Sequence, residues 1–329
     1  MTPLPLPAGL TARPMRPDDV DAIVALETAA EPVDDTGRHD SAEDLTAWFV
    51  NDLVDLDLDT RMVLTAEGEL VGWASAIAPP TFRDAYGVHL EGRVRPDWRG
   101  RGIGRALLAW QLERGTRLHA ERHPEAPARL TVLVLTTMPS LEALVRRAGL
   151  EPLRWFFQME RPLTDLPPRR QVDGVDLVPF SWDRDDDVRR AHNAAFTEHY
   201  GSSERDVASW QVMFTGQPSF RPDLSVLAVA DGAVLGYALA YVSEATAAAT
   251  GSRECYFGQI GVVPAARGRG LSKAVIIEAL HAAAAADCQT AGLEVDSENV
   301  TDALGLYESL GFATHRTEVS WSRRIAPLR

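Results

Sequence analysis

The chain has 329 residues, enough for two domains that each bury a hydrophobic core. Hydrophobic residues make up 45% of the sequence and charged residues 24%, as is usual for a globular protein. The net charge of −14 argues against a nucleic-acid partner, because binding phosphates along a strand requires clustered positive charge.

The first half of the chain alternates strand-like and helix-like segments. Residues 11–15 are a predicted strand, and a helix follows through residue 30, with Asp18 or Asp19 as its capping residue. The later predicted elements are a helix at 45–53, strands at 62–66, 70–77 and 88–94, a helix ending near 119, a strand at 130–136, a helix at 140–148 and a strand at 153–161.

The second half repeats this order of elements. They are a strand at 175–180, a helix at 185–199, strands at 225–230, 234–242 and 256–263, a helix at 271–286, a strand at 291–295, a helix at 300–310 and a strand at 314–323. Between the halves, residues 163–172 are rich in proline and poorly periodic, which predicts a linker. We therefore predict an N-terminal domain at residues 1–162 and a C-terminal domain at residues 173–329.

The sequence carries no targeting, membrane or metal signal. Residues 1–9 lack the cationic start and the long apolar run of a signal peptide, and the apolar helix predicted near residues 274–286 is too short to span a bilayer. Cys255 and Cys288 are too few for a disulfide framework, and no Cys/His cluster has metal-ligand spacing. We expect a cytoplasmic protein with reduced thiols, no bound metal and no membrane partner.

An Arg/Gly cluster stands between a predicted strand and an Ala/Leu-rich helix in each half. The clusters read Arg99-Gly100-Arg101-Gly102-Ile103-Gly104 and Arg267-Gly268-Arg269-Gly270-Leu271-Ser272-Lys273. Glycines let backbone N–H groups converge on one point, the helix start adds its positive end, and arginine adds charge-assisted hydrogen bonds. Each cluster is therefore predicted to bind phosphate groups. The alternative is a Gly-rich connection without a ligand.

These clusters and the order of elements resemble the GNAT acetyltransferase superfamily, whose phosphate signature is (Gln/Arg)-x-x-Gly-x-(Gly/Ala). The first cluster fits this signature throughout, and the second ends in Ser272, which is still small. The resemblance spans nearly the whole chain, twice, and among tandem members it is greatest to the mycothiol synthases and related two-domain proteins. It implies an α/β fold with a mixed sheet in each of two tandem acyl-CoA N-acyltransferase domains, with acetyl-CoA as the cofactor.

The resemblance assigns most site residues to the second half. In the family, the strand before the turn splays from its neighbour and pairs with the pantetheine arm of the cofactor. The matching positions are Ile260, Gly261 and Val262. Residues 299–312 are similar to the family segment Asn-x-x-x-Ala-x-x-Leu-Tyr-x-x-x-Gly-Phe. This implies that Asn299 caps a helix or reaches the cofactor, and that Tyr307 is the general acid that protonates the coenzyme A thiolate. A packing role for Tyr307 is the alternative.

Several residues are candidates for the general base. Many relatives carry a glutamate eleven positions before the first signature residue, where this chain has Tyr256. Glu254 lies two residues earlier on the same face of a regular strand, and a β-bulge would bring it closer to the turn. A proton relay from Tyr256 through water, and a merely solvated Glu254, are the alternatives. Further candidates are Glu198, His199 and Glu244.

The first half lacks the predicted acid. When the two halves are aligned, Val145 lies opposite Tyr307. Thr137 lies opposite Asn299 in the same alignment. We therefore expect the chemistry in the second half, and a first half that binds acyl-CoA unproductively or serves as a scaffold.

Together these features predict an acetyl-CoA-dependent N-acetyltransferase, a monomer or homodimer, that acts on a primary amine of a small molecule. One alternative is mycothiol-synthase activity proper, in which the acceptor is the cysteinyl amine of a mycothiol precursor. An aminoglycoside-like amine and a peptide amine are further possible acceptors. A non-catalytic acyl-CoA-binding or regulatory protein is the alternative from another class. Val145, Ser272 and Tyr256 favour it, whereas Asn299 and Tyr307 speak against it.

Overall fold

The computed structural model describes residues 4–39, 41–49, 54–79, 81–197, 203–298 and 303–328. These residues form two compact units. The first unit comprises Met1–Trp155 and Glu318–Arg329, and the second comprises Phe156–Thr317.

The first elements in chain order belong mainly to the first unit. They are β1 (Thr11–Arg13), α1 (Val20–Asp34), α2 (Ala42–Phe49), α3 (Leu56–Asp59), β2 (Thr60–Leu64), β3 (Leu70–Ile77), β4 (Tyr86–Val94), α4 (Ile103–Arg122), β5 (Ala128–Leu135), α5 (Pro139–Arg147) and β6 (Glu151–Pro162). The strand order in this unit is β1-β2-β3-β4-β5, followed by the last strand of the chain. Strands β4 and β5 run parallel, and the other neighbours run antiparallel.

The remaining elements belong mainly to the second unit. They are β7 (Asp176–Pro179), α6 (Asp185–Ala195), α7 (Val207–Trp210), β8 (Val226–Ala230), β9 (Ala233–Tyr241), α8 (Glu244–Thr250), β10 (Glu254–Val262), α9 (Leu271–Ala285), β11 (Thr290–Asp296), α10 (Ala303–Ser309) and β12 (Ala313–Ile325). The strand order is β6-β11-β10-β9-β8-β7, with β10 and β11 parallel and the other neighbours antiparallel. Both sheets are therefore mixed, which confirms the predicted fold class.

Most predicted elements match the structure within a few residues. The helix predicted at residues 185–199 ends at Ala195, and the helix predicted at 300–310 is described from Ala303. Three short helices (α3, α7 and α8) were not predicted. Each has seven residues or fewer, too short for helical periodicity to be visible in the sequence.

Each unit takes its last strand from the other half of the sequence. In the first unit, the C-terminal part of β12 pairs with β5, with Ile325 opposite Ala128. In the second unit, residues 156–162 of β6 pair with β11. The units therefore differ from the predicted boundaries at residues 1–162 and 173–329. An alternating strand pattern specifies which face is buried but not which sheet edge accepts the strand.

The core of the second unit lies between α9 and the strands beneath it. Helix α9 is apolar on most of its surface, and its residues Ile276 and Leu280 are completely buried. The facing residues on β9, Ala238 and Ala240, are small and fully buried, so the helix can approach the sheet closely. The segment after β10 enters α9 directly, so this packing fixes the position of the second Arg/Gly turn.

The predicted linker is a packed segment of the second unit; we call residues 163–172 the connecting segment. Its first residue donates a backbone hydrogen bond from Leu163 to the Gln289 carbonyl at 2.9 Å. Further along, His281 Nε2 on α9 contacts the Pro167 carbonyl at 2.9 Å. Arg169 forms an ion pair with Glu278 on the same helix at 2.9 Å. The connecting segment therefore runs along α9.

Three further expectations concern the whole chain. Cys255 and Cys288 are buried free thiols, as predicted. No helix in the described ranges is long and apolar enough to cross a membrane. Within the same ranges, no group of three or more His, Cys, Asp or Glu residues is placed to hold a metal ion.

Candidate active site

Strands β10 and β11 separate part-way along their length. Residues Glu254–Tyr256 of β10 pair in parallel with Thr290–Gly292 of β11, and the pairing stops there. Beyond that point β10 continues to Val262 while pairing with β9 on its other side. The backbone groups of β10 that face away from β9 after Tyr256 thus have no ladder partner on β11. The two strands form a V-shaped gap with its apex at Tyr256 and Gly292.

The Arg/Gly turn at the end of β10 is built on two glycines with positive φ. Gly268 and Gly270 both have φ of +79°, a conformation that residues with a Cβ rarely adopt. The first intrahelical bond of α9 runs from Ala274 N–H to the Gly270 carbonyl at 3.1 Å. The N–H groups of residues 271–273 therefore have no acceptor within the helix, and the positive end of the helix dipole lies among them. This is the geometry of an anion-binding turn.

A cavity of about 630 Å³ lies where the gap, the turn and α10 meet. Its volume falls in the range of roughly 300–1,000 Å³ that is usual for small-molecule sites. Nine of the predicted cofactor-binding residues and the predicted acid line it: Ile260, Gly261, Val262, Arg267, Gly268, Gly270, Leu271, Ser272, Lys273 and Tyr307. Six lining residues were not predicted: Arg170, Ala195, Phe196, Ala266, Ala303 and Leu306.

Positive side chains surround the cavity. Arg267 Nη2 donates to the Ala195 carbonyl at the end of α6, at 3.0 Å. Lys273 Nζ lies 3.5 Å from the Ser309 hydroxyl on α10. Arg269 does not line the cavity, and its Nη2 donates to the Asp173 carbonyl at 3.3 Å. The cavity thus combines oriented backbone N–H groups with cationic side chains, as binding a diphosphate requires.

The position of Tyr307 is compatible with both roles considered for it, packing and proton donation. Its ring packs edge-on against Phe312, with 6.2 Å between ring centroids, and the residue is only 8% exposed. Its side chain nevertheless lines the cavity. Burial raises the pKa of the Tyr307 phenol to about 12. The phenol therefore carries its proton throughout the neutral range and is available as a proton donor.

Glu254 lies at the apex of the gap, outside the cavity lining. A Cβ added to Gly292 would lie 2.7 Å from Glu254 Oε1, so the carboxylate rests directly over that glycine. Burial and the neighbouring Glu160 carboxylate raise the pKa of Glu254 to about 7, against the opposing charge of Arg316. The strand register shifts between Phe257 and Gln259, so a bulge does separate Glu254 from the turn. A carboxyl group with this pKa suits a general base at neutral pH.

The other candidate bases are placed differently. Tyr256 is 37% exposed on the strand that carries Glu254. Glu244 forms an ion pair with Arg253 at 2.8 Å and does not line the cavity. Glu198, His199 and the predicted cofactor residue Asn299 lie outside the described residues.

The first Arg/Gly turn has the same backbone shape as the second. Gly100 and Gly102 have φ of +77° and +92°, and β4 pairs with β5 only over residues 86–89. Its arginines, however, bind a buried carboxylate and an aromatic ring. Arg99 Nη1 and Nη2 each lie 2.7 Å from an oxygen of the buried Asp34 carboxylate. The Arg101 guanidinium stacks over the Trp98 ring, 4.4 Å from its centroid.

Two further residues of the first turn and the splayed strand β4 next to it are also engaged by packing. Ile103 is 1% exposed in the core of the first unit, and a Cβ added to Gly104 would meet the Leu144 side chain at 3.4 Å. On β4, the Glu91 carbonyl accepts a hydrogen bond from the Gln111 side chain at 2.6 Å. The first turn therefore resembles the second in backbone geometry and differs from it in the partners of its arginines.

A comparison with known families settles the classification. The family model described as the acetyltransferase (GNAT) family matches residues 21–127 and residues 186–312. Together these two matches cover more than half of the chain. The chain belongs to the GNAT acetyltransferase family. It is thus an N-acetyltransferase with two GNAT domains in tandem.

Several curated relatives of this GNAT protein cover most of its length. A mycothiol acetyltransferase from Tsukamurella paurometabola is 32% identical over 79% of this chain and 84% of the relative. One from Frankia casuarinae is 31% identical over 93% of this chain and 95% of the relative. One from Streptomyces avermitilis is 36% identical over 79% of each chain.

Solved structures share the fold. A GCN5-related N-acetyltransferase from Sphaerobacter thermophilus has a TM-score of 0.76 and 24% identity, and the match covers 98% of each chain. A tandem GNAT protein from the clavulanic acid biosynthesis pathway has a TM-score of 0.71 and 20% identity, over 97% of this chain and 99% of that one. The tandem GNAT fold predicted from the sequence is therefore confirmed.

The two GNAT units differ at the position of the acid. Val145, which the alignment of the halves places opposite Tyr307, is completely buried in the hydrophobic core of the first unit. A valine cannot donate a proton. Of the two predicted positions for an acid, only the one in the second unit carries an ionisable side chain.

Proposed function

We propose that the second unit is an acetyl-CoA-dependent N-acetyltransferase that acetylates a primary amine of a small molecule. The observation that carries this proposal is the cavity, because it joins the splayed strand, the Arg/Gly turn and Tyr307 in one unit. The splayed strand would pair with the pantetheine arm, the turn would bind the diphosphate, and Tyr307 would donate a proton.

The residues of the cavity fit the cofactor. The N–H groups at the start of α9, with Arg267 and Lys273 beside them, would hold the diphosphate of coenzyme A. The backbone groups of residues 260–262, which have no partner on β11, would pair with the pantetheine arm. An arm bound in this way runs along β10 toward the apex of the gap and brings the thioester toward Glu254.

Glu254 would act as the general base and Tyr307 as the general acid. Glu254 takes a proton from the acceptor amine, directly or through water, and the amine nitrogen forms a bond to the thioester carbonyl carbon. As the carbon–sulfur bond breaks, Tyr307 gives its proton to the sulfur and is later reprotonated by solvent. A carboxyl group with a pKa near 7 and a phenol with a pKa near 12 are suited to these two roles.

We further propose that the acceptor is the cysteinyl amine of a mycothiol precursor. The support is the set of mycothiol acetyltransferases that match this chain at 30–36% identity, among them relatives aligned over more than nine-tenths of its length. An aminoglycoside-like amine or a peptide amine is the competing acceptor, since the residues of the cavity concern the cofactor rather than the acceptor.

The experiment is an incubation of the full chain with acetyl-CoA and a panel of amines, with release of free coenzyme A and the mass of the product as readouts. The panel contains the cysteinyl precursor of mycothiol, an aminoglycoside, a peptide and no acceptor. We expect coenzyme A release that depends on acceptor, with a product heavier by one acetyl group. Tight binding of acetyl-CoA without turnover of any amine would instead support the non-catalytic alternative.

A further inference from the structure

The connecting segment brings a positive side chain to the phosphate turn. A hydrogen bond between His281 and the Pro167 carbonyl holds the segment on α9. The Arg169–Glu278 ion pair beside it is exposed to solvent and adds little to this anchoring. A further contact, from Arg269 Nη2 to the Asp173 carbonyl at 3.3 Å, ties the residue that follows the segment to the turn itself. Arg170 lies between these anchors, so its backbone is fixed on both sides.

The Arg170 guanidinium lies against the glycine that immediately precedes α9. A Cβ added to Gly270 would be 3.0 Å from Arg170 Nη2 and 3.3 Å from its Nε. The residue also lines the cavity, together with the two turn glycines. Gly270 precedes the helix N–H groups that have no intrahelical acceptor, so the guanidinium flanks the anion-binding end of α9.

The neighbouring arginines have partners and Arg170 has none among the described residues. Arg169 pairs with Glu278, and Arg269 donates to a main-chain carbonyl. In the described ranges no hydrogen bond or ion pair engages the Arg170 guanidinium. A guanidinium that is held beside a cavity, with its donors unused by the protein, is available to an anion in that cavity.

We propose that Arg170 binds a phosphate group of coenzyme A, so that the connecting segment between the two halves is part of the cofactor site. The proposal rests on the proposed function, because it takes coenzyme A as the ligand. Coenzyme A offers two kinds of phosphate near the turn, the diphosphate and the 3′-phosphate of the ribose. Both present the oxygen pairs that a guanidinium binds in a fork-like manner.

The test is isothermal titration of the full chain with coenzyme A and with 3′-dephospho-coenzyme A, in the wild type and in Arg170→Gln. Arg169→Gln is the matched control, because it removes the same charge from the adjacent position and loses only an exposed ion pair. We expect Arg170→Gln to weaken coenzyme A binding about 5- to 10-fold, and Arg169→Gln to change it less than 2-fold.

The two ligands identify which phosphate is bound. A loss confined to coenzyme A would assign Arg170 to the 3′-phosphate, and an equal loss with both ligands would assign it to the diphosphate. Unchanged affinity for both ligands in Arg170→Gln, or an equal loss in the Arg169→Gln control, would overturn the proposal. A wild-type chain that binds neither ligand would instead contradict the proposed function, so the two failures are distinguishable.

Discussion

Arg99 and Asp34 form a bidentate ion pair in the first unit, in which each terminal nitrogen of the guanidinium lies 2.7 Å from one carboxylate oxygen. Arg267, which holds the same place in the second turn, donates to a main-chain carbonyl instead and lines the cavity. Asp34 neutralises the charge of Arg99, whereas the Arg267 side chain lines the cavity together with the start of α9. The same turn is therefore suited to an anion in one unit and serves packing in the other.

The Arg99–Asp34 pair is expected to stabilise the fold without contributing to turnover. Asp34 is 3% exposed and also binds Arg93, so Asp34→Asn removes the carboxylate partner of Arg99 and one of the two carboxylate partners of Arg93, which keeps Glu27. We expect a loss of about 2 kcal/mol in the free energy of unfolding, less than for a fully buried pair because Arg99 is partly exposed. Urea unfolding monitored by circular dichroism measures this loss.

Asp97→Asn is the matched control for that variant. The Asp97 carboxylate also binds an arginine, Arg95, but its side chain is 62% exposed, so its loss should change the free energy of unfolding far less than Asp34→Asn does. Turnover should stay within twofold of the wild type in both variants. Equal stability of the two variants would show that the buried pair has no structural role.

Tyr307→Phe tests the proton donor. The substitution keeps the ring that packs against Phe312 and removes only the hydroxyl group. We expect kcat to fall about tenfold or more, because the thiolate then leaves without a proton from the enzyme, while the affinity for acetyl-CoA stays within twofold. Steady-state release of coenzyme A gives kcat, and titration gives the affinity. Unchanged kcat would leave Tyr307 with its packing role alone.

Glu254→Gln tests the base through its pH dependence. A base must be ionised to act, and the pKa of Glu254 is raised to about 7. In the wild type, kcat/KM should therefore rise with pH and level off above an apparent pKa near 7. The variant should lose about tenfold or more of kcat/KM at pH 8 and lose this inflection. An inflection near pH 7 that persists in the variant would assign the titration to another group.

The same variant should gain stability rather than lose it. The pKa of Glu254 is raised from its ordinary 4.5 to about 7 in the folded protein, so ionising this carboxyl group lowers the free energy of unfolding. This destabilisation is absent below pH 4.5 and fully present above pH 7. Removing the charge should therefore raise the free energy of unfolding relative to the wild type at pH 8, and change it little at pH 4. Denaturant unfolding of the wild type and the variant at the two pH values measures this difference. A variant that is less stable than the wild type at pH 8 would contradict the expectation.

The sequence predicts local features well and partners in space poorly. The glycines of the turn, the strand at residues 260–262 and Tyr307 all belong to contiguous motifs, and the structure brings them to one cavity. Asp34, in contrast, lies far from Arg99 along the chain, and no local pattern links the two. Arg170 lies in a proline-rich segment without periodicity, so the sequence gives no sign that this segment packs on α9.

The exchange of the last strands has the same origin. Residues 153–161 and 314–323 are correctly predicted as strands, because alternation of apolar and polar residues is a property of the segment itself. Which sheet edge each strand joins depends on tertiary packing. The alternation is equally compatible with either edge, so the sequence of a single strand does not predict which edge it joins.

The division of labour between the two turns is tested most directly by a matched pair of double variants. All four turn glycines have φ between +77° and +92°, so Gly100→Ala with Gly102→Ala and Gly268→Ala with Gly270→Ala introduce similar backbone strain. The measurement is turnover of acetyl-CoA in the two variants under saturating acceptor, with thermal unfolding of both as the control for strain. We predict that the variant of the second turn loses at least about 100-fold, because the turn can no longer hold the diphosphate, whereas the variant of the first turn stays within about threefold of the wild type. Equal losses in two variants of equal thermal stability would contradict the account.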